Sequence, residues 1–201
     1  MVTKDYLKEL LSETNNLRSS TRFEKIDKSK CFVVYLPIKS EELTCLCEGL
    51  SSQHIRQIKN IKYTDKIRAN CKKYLKIYKD QQGKIIFIEW HSVEDGEGNL
   101  VFLARYKDNI RYLFPFWKDG SFYPTYSYVA KFENGKVVEE YKVEGNQIIY
   151  EHYFDESDEK VDFYSINYVP DGKCPIISEC EGRYYFNPLR FEMLNSSTWL
   201  D

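Results

Sequence analysis

Ser121-Phe-Tyr-Pro-Thr-Tyr-Ser-Tyr-Val-Ala-Lys-Phe-Glu-Asn-Gly-Lys-Val-Val-Glu-Glu-Tyr-Lys-Val-Glu-Gly-Asn-Gln-Ile-Ile-Tyr-Glu-His-Tyr-Phe154 alternates aromatic and β-branched residues with tight-turn signals. Asn134-Gly135 lies between two such runs, and Asn-Gly in that position is the strongest short-range hairpin signal a sequence offers. A second turn follows at Glu144-Gly145-Asn146, then the run Gln147 to Phe154, a turn through Asp155 to Glu159, and a run from Lys160 to Val169. Strands joined by so few residues must be antiparallel neighbours. The stretch is therefore a β-meander.

The same grammar extends outward. Upstream, the expected strands are Lys84 to His91, Leu100 to Tyr106 and Ile110 to Trp117, with turns at Asp95-Gly-Glu-Gly98, Lys107-Asp-Asn109 and Lys118-Asp-Gly120. Downstream, Pro170 to Lys173 reads as a turn, Cys174 to Cys180 as a strand, and Glu181-Gly182 as a turn into Arg183 to Phe186. The tail from 188 to 201 reads as a short helix around Leu189 to Leu194.

The first 82 residues read differently. Thr3 is an N-cap followed by the stripe Tyr6, Leu7, Leu10 and Leu11, a helix that fades by Asn15-Asn16. Cys31 to Leu36 is a strand ending at Pro37. Helices are expected over Glu41 to Leu50, around Ile55 and Ile58, and over Asp65 to Lys79, the last capped by Thr64 with Ile67, Cys71, Tyr74, Leu75 and Tyr78 at helical spacing. Helices followed by strands argue an α+β class rather than a βαβ fold. The expectation is one α+β domain over 1–201: a helical, basic part (1–82) packed on a curved, mostly antiparallel meander of about eight strands (83–187), then the tail. Closure into a barrel is left open.

The net charge of −2 hides an asymmetry. Residues 1–80 hold 17 Lys and Arg against 10 Asp and Glu; residues 81–201 hold 12 against 21. The basic half clusters Arg56, Lys59, Lys62, Lys66, Arg68, Lys72, Lys73, Lys76 and Lys79, with tyrosines between them. On a helix such a patch could sit on phosphates, with Lys72, Lys73 and Lys76 as its centre. In the acidic half, strand alternation places acids and tyrosines on one face. Glu140, Glu151, Tyr153, Asp162, Tyr164 and Tyr168 are the expected partner-binding residues, since a polar face with scattered aromatics suits protein contacts.

Candidates for chemistry are few. Glu89 and His91 share a strand face, and with His152 they could form a general base and its orienting carboxylate. The six cysteines show no zinc spacing, and the acidic loop Asp155 to Glu159 lacks the features of a calcium hand, so neither metal nor cofactor is expected. Dinucleotide, P-loop, nucleophile-elbow and zincin motifs do not occur. The N-terminus has no apolar signal core and no run is long enough to span a bilayer, so reduced thiols in a cytoplasm are expected.

Lys131-Phe-Glu-Asn-Gly-Lys-Val-Val-Glu-Glu-Tyr-Lys-Val-Glu-Gly-Asn146 resembles the hairpins of bacterial antitoxin proteins with MORN-like repeats. The chain is similar in style to bacterial cytoplasmic immunity proteins, which are small, acidic and rich in aromatics. The resemblance implies a non-catalytic protein that binds and blocks a cognate toxin domain. A nucleic-acid-associated protein using residues 56–79, and a small hydrolase using Glu89, His91 and His152, are the alternatives.

Overall fold

The computed structural model describes residues 2–23, 27–37, 63–92, 100–123, 126–170, 176–186 and 188–200. The expected helices over Glu41 to Leu50 and around Ile55 and Ile58 lie outside these residues. So do the turn at Asp95 to Gly98 and the stretch from Asp171 to Pro175. Among the described residues there is one α-helix, α1 (Lys4–Ser20), and eleven strands. The strands are β1 (Phe32–Pro37), β2 (Lys73–Lys79), β3 (Ile85–Ser92), β4 (Leu100–Lys107), β5 (Ile110–Trp117) and β6 (Ser127–Glu133). They continue with β7 (Lys136–Glu144), β8 (Gln147–Phe154), β9 (Lys160–Val169), β10 (Ile176–Phe186) and β11 (Leu189–Leu200). All eleven form one open antiparallel sheet in sequence order, each strand pairing with its chain neighbours. The α+β class and the antiparallel meander are those read from the sequence, with more strands than expected.

α1 begins where Thr3 accepts a hydrogen bond from the Tyr6 amide at 3.2 Å, satisfying one of the orphan donors of the first turn. Leu7, Leu10, Leu11 and Thr14 are its buried stripe, at the spacing of one helix face. The helix runs past Asn15-Asn16 because Leu17 extends that stripe onto the core while Asn16 faces outward. Leu7, Leu10 and Leu11 meet Tyr112, Tyr141, Ile148, Tyr150, Ile166 and Tyr168 on the sheet. Each fully buried leucine contributes about 2 kcal/mol of apolar transfer. A second apolar cluster, including Leu75, Ile77, Ile88, Trp90, Phe102 and Leu113, occupies the opposite face of the sheet at its β1–β6 end.

Three segments differ from the sequence reading. The stretch Asp65 to Lys79 is not a helix; its second half is β2, held between β1 and β3. Tyr74 and Tyr78 suit a helix at i, i+4 and a strand at period 2 alike. Leu75 and Ile77, both 0% exposed, settle it: they share one strand face and fill the second cluster. Glu181-Gly182 is not a turn; it lies within β10, opposite a bulge that leaves Leu194 of β11 without a ladder partner and shifts the register between the two strands. The tail is likewise not helical. It forms β11, which runs back along β10 from Leu189↔Phe186 to Leu200↔Ile176. Tertiary pairing overrides the weak local helix signal in both β2 and β11.

The hairpin at Asn134-Gly135 is present. Asn134 and Gly135 both have positive φ (51° and 77°), as a two-residue primed turn requires. A bulge at Lys131/Phe132 shifts the register just before it. The Tyr168 side chain is 0% exposed in the core beneath α1, and its hydroxyl has no hydrogen-bond partner among the described residues. A buried hydroxyl that makes no bond costs stability. Tyr168→Phe is therefore expected to leave the thermal midpoint unchanged or raise it, which a melting curve checks.

Candidate functional site

Register decides which residues share a face, because directly opposed residues in a ladder point the same way. Glu140 lies opposite Glu151, and Glu151 opposite Ser165. This row is on the face away from α1, and Tyr153, opposite Phe163, shares it. Asp162, Tyr164 and Tyr168 lie on the other face, opposite Phe154, His152 and Ile148. The six expected partner-binding residues are thus divided: three on the face away from α1, three on the α1 side. Alternation within each strand holds, but the pairing of β8 with β9 sets Glu151 and Tyr153 on the opposite face from Asp162, Tyr164 and Tyr168.

The face away from α1 carries an aromatic platform on β8–β11. Phe163 stacks on Tyr184 (centroids 4.9 Å apart) and on Phe191 (5.9 Å), Tyr184 packs on Phe191 (5.5 Å), and Tyr153 on Phe163 (6.3 Å). Gly182 sits beneath them. A Cβ there would lie 2.6 Å from the Phe163 ring and 2.7 Å from the Phe191 ring, so only glycine lets the two rings close over the bulge. At the sheet edge the platform opens outward: Phe191 is 46% exposed and Met193 58%.

Two carboxylates border the platform. The Tyr153 hydroxyl lies 2.5 Å from Glu151 and 3.1 Å from Glu140, and its single proton is shared between them. Burial, then Glu151 and Glu140, push the Tyr153 pKa far up, so the phenol stays a donor. Carboxylates directly opposed across a ladder repel. Arg111 lies in the same cross-strand row, through Ala130, and Glu140 favours its charged form. Cys180 is also on this face; burial and then Glu151 raise its pKa, which keeps it a thiol rather than a nucleophilic thiolate.

On the α1 side, Asp162 accepts a two-pronged pair from Arg183, at 2.6 and 2.8 Å, with Lys160 at 3.2 Å. Arg183 above all, with Lys160 adding to it, holds its carboxyl below the usual range against the opposing effect of burial. A depressed carboxylate stabilises the fold above its ordinary pKa and loses that contribution as pH falls through the folded value. Asp162→Asn is accordingly expected to lower the melting point by several degrees at neutral pH. The gap to the parent protein should close on acidification, a comparison that melting curves across pH make directly.

Tyr164 borders a cleft beside the start of α1. There Glu139 accepts from the Tyr6 hydroxyl and the Lys131 ammonium, both at 2.8 Å, and His152 lies opposite Glu139. His91 stacks on Tyr74 (4.6 Å, 8° between planes), and its Nε2 is 3.5 Å from Glu89. Glu89 itself is engaged by Lys28 and by the Tyr78 hydroxyl at 3.0 Å. Burial lowers the His91 pKa despite Glu89, so the ring is neutral at pH 7. Five strand spacings, about 24 Å, separate β3 from β8, so His91 and His152 do not converge.

The basic cluster does not form one face either. Arg56, Lys59 and Lys62 lie outside the described residues. With 73–79 in a strand, Lys73 shares the face of Leu75 while Lys76 points the other way, opposite Glu89 and 5.1 Å from the Tyr78 ring. Lys72 precedes the strand. Among the described residues there is no group of three or more metal-ligating side chains, and Cys31, Cys71 and Cys180 are free thiols. No helix among them is long and apolar enough to cross a membrane.

The sequence reading missed Phe163, Gly182, Tyr184 and Phe191. Phe191 was assigned to a helix and Gly182 to a turn, so nothing placed them under one another. The available signal was a glycine amid aromatic, β-forming residues with a second aromatic run after it, the pattern of a close approach within a sheet. The chain matches no family model, no curated protein and no solved structure.

Proposed function

We propose that the protein is a non-catalytic binding protein of the immunity class, acting in a bacterial cytoplasm, which neutralises a cognate toxin domain by docking it on the β8–β11 platform. The observation that carries this reading is the platform itself: clustered rings running out to exposed Phe191 and Met193, bordered by Glu140 and Glu151. Rigid aromatic anchors with a polar border are the usual composition of an interface centre. The acidic balance of residues 81–201 favours a basic partner, and toxin domains that attack nucleic acid have basic surfaces. Asp162, Tyr164 and Tyr168, on the α1 side, are not part of the proposed contact.

Co-expression tests the proposal. The chain is expressed with the toxin domain encoded beside it, and survival is scored. The parent protein is expected to protect, and Met193→Asp to abolish protection without loss of folded protein. Failure to protect, or protection unaffected by Met193→Asp and Phe191→Asp together, would refute it.

A further inference from the structure

A cleft of about 400 Å³ opens at the end of the sheet, on the face away from α1, among the turns that join β2 to β3, β4 to β5 and β6 to β7. Its charged lining is unbalanced: Lys79, Lys84 and Arg111 against one carboxylate, Asp108. Arg111 is 3% exposed, so its guanidinium is held inside the protein rather than in solvent. Burial lowers its pKa, while Tyr106, Tyr63 and Glu140 oppose that effect. A buried guanidinium is an expensive group, and its planar fork matches the oxygens of a phosphate or carboxylate.

Two rings flank these cations. Arg111 lies 5.2 Å from the centre of Phe132, and Lys84 lies 5.4 Å from the centre of Tyr106. Tyr106 is pinned by its hydroxyl, which donates to the Ile85 carbonyl at 3.0 Å, yet its side chain remains 38% exposed. A fixed, open ring beside three cations is a place for a flat group attached to an anion.

We propose that this cleft binds a small phosphorylated ligand carrying a flat ring, its phosphate against Arg111, Lys79 and Lys84 and its ring against Tyr106 and Phe132. The proposal is independent of the toxin-binding reading, since the cleft uses none of the platform residues.

Phenyl phosphate is the probe, titrated calorimetrically into the full chain at constant ionic strength. Saturable binding in the millimolar range or tighter is expected, with inorganic phosphate binding more weakly. The double variant Lys79→Glu, Lys84→Glu should weaken phenyl phosphate binding by about tenfold or more through charge reversal at the rim. Arg111 is buried and its loss could unfold the chain, so Arg111→Lys is used to keep the charge and remove the fork. It should also weaken binding while the melting curve stays cooperative. Absence of saturable binding, inorganic phosphate binding as tightly as phenyl phosphate, or affinity unchanged in the double variant would overturn the proposal.

Discussion

Gly182→Val is expected to destabilise the protein by about 2–3 kcal/mol and to dismantle the aromatic platform, because overpacking a closed site forces rings and backbone apart. The position needs glycine for its lack of a side chain. A single Cβ would lie 2.6 Å from the Phe163 ring, well inside contact distance, and valine adds two methyl groups there. Phe163 is 3% exposed and wedged between Tyr153, Tyr184 and Phe191, so its ring has little room to move. Chemical denaturation gives the stability loss, and near-ultraviolet circular dichroism reports the aromatic packing. Gly182→Ala should show the same changes at smaller amplitude. A valine variant as stable as the parent, with unchanged aromatic ellipticity, would mean that the rings do not close over the bulge.

The second large effect is alkaline unfolding. The chain has 17 tyrosines. Burial is the leading cause that raises the pKa values of Tyr6, Tyr78, Tyr141, Tyr150, Tyr153, Tyr164 and Tyr184. Neighbouring carboxylates add to it: Glu139 at Tyr6, Glu89 at Tyr78, and Glu151 with Glu140 at Tyr153. In the unfolded chain a phenol ionises near pH 10. A group whose folded pKa is raised contributes its full stability below the unfolded value and loses it as pH climbs towards the folded one. Above about pH 10, several phenols would therefore release protons on unfolding and pull the equilibrium the same way. Stability should fall steeply there, and absorbance at the phenolate band should rise in one cooperative step that coincides with loss of the β-sheet signal. Independent titration of most tyrosines near pH 10 in a folded protein would contradict the burial described above.

The meander was legible because its turns carry their own chemistry: Asn134-Gly135 must adopt positive φ, and the alternation on either side leaves a single pairing. β10 and β11 were not legible in the same way. Asn187-Pro188 marks a turn before Leu189, but β11 mixes Arg190, Glu192 and Asn195 with Phe191, Met193 and Leu194 in a pattern that fits a helix about as well. β2 was misread because Tyr74 and Tyr78 satisfy both periods, and only pairing with β1 and β3 chooses between them.

The candidate surface was partly legible. Glu140, Glu151 and Tyr153 were grouped from neighbouring strands, and they do lie together. Asp162, Tyr164 and Tyr168 match them in composition but lie on the other face, because alternation within a strand does not fix its register to the next and the turn at Asp155 to Glu159 does not encode it. Of the platform rings, Tyr153, Phe163 and Tyr184 lie in runs that read as strands, whereas Phe191 lies in a stretch that reads as a helix.

The most direct test of the proposed docking face is the affinity of the proposed partner, the purified toxin domain, for three versions of the chain: the parent, Phe191→Asp with Met193→Asp on the platform, and Glu9→Lys on the exposed side of α1. The account predicts a loss of about a hundredfold or more for the platform variant, since interface anchors dominate binding energy, and little change for Glu9→Lys. Equal affinity for the parent and the platform variant would contradict it, and a large loss confined to Glu9→Lys would in addition place the contact on the α1 side.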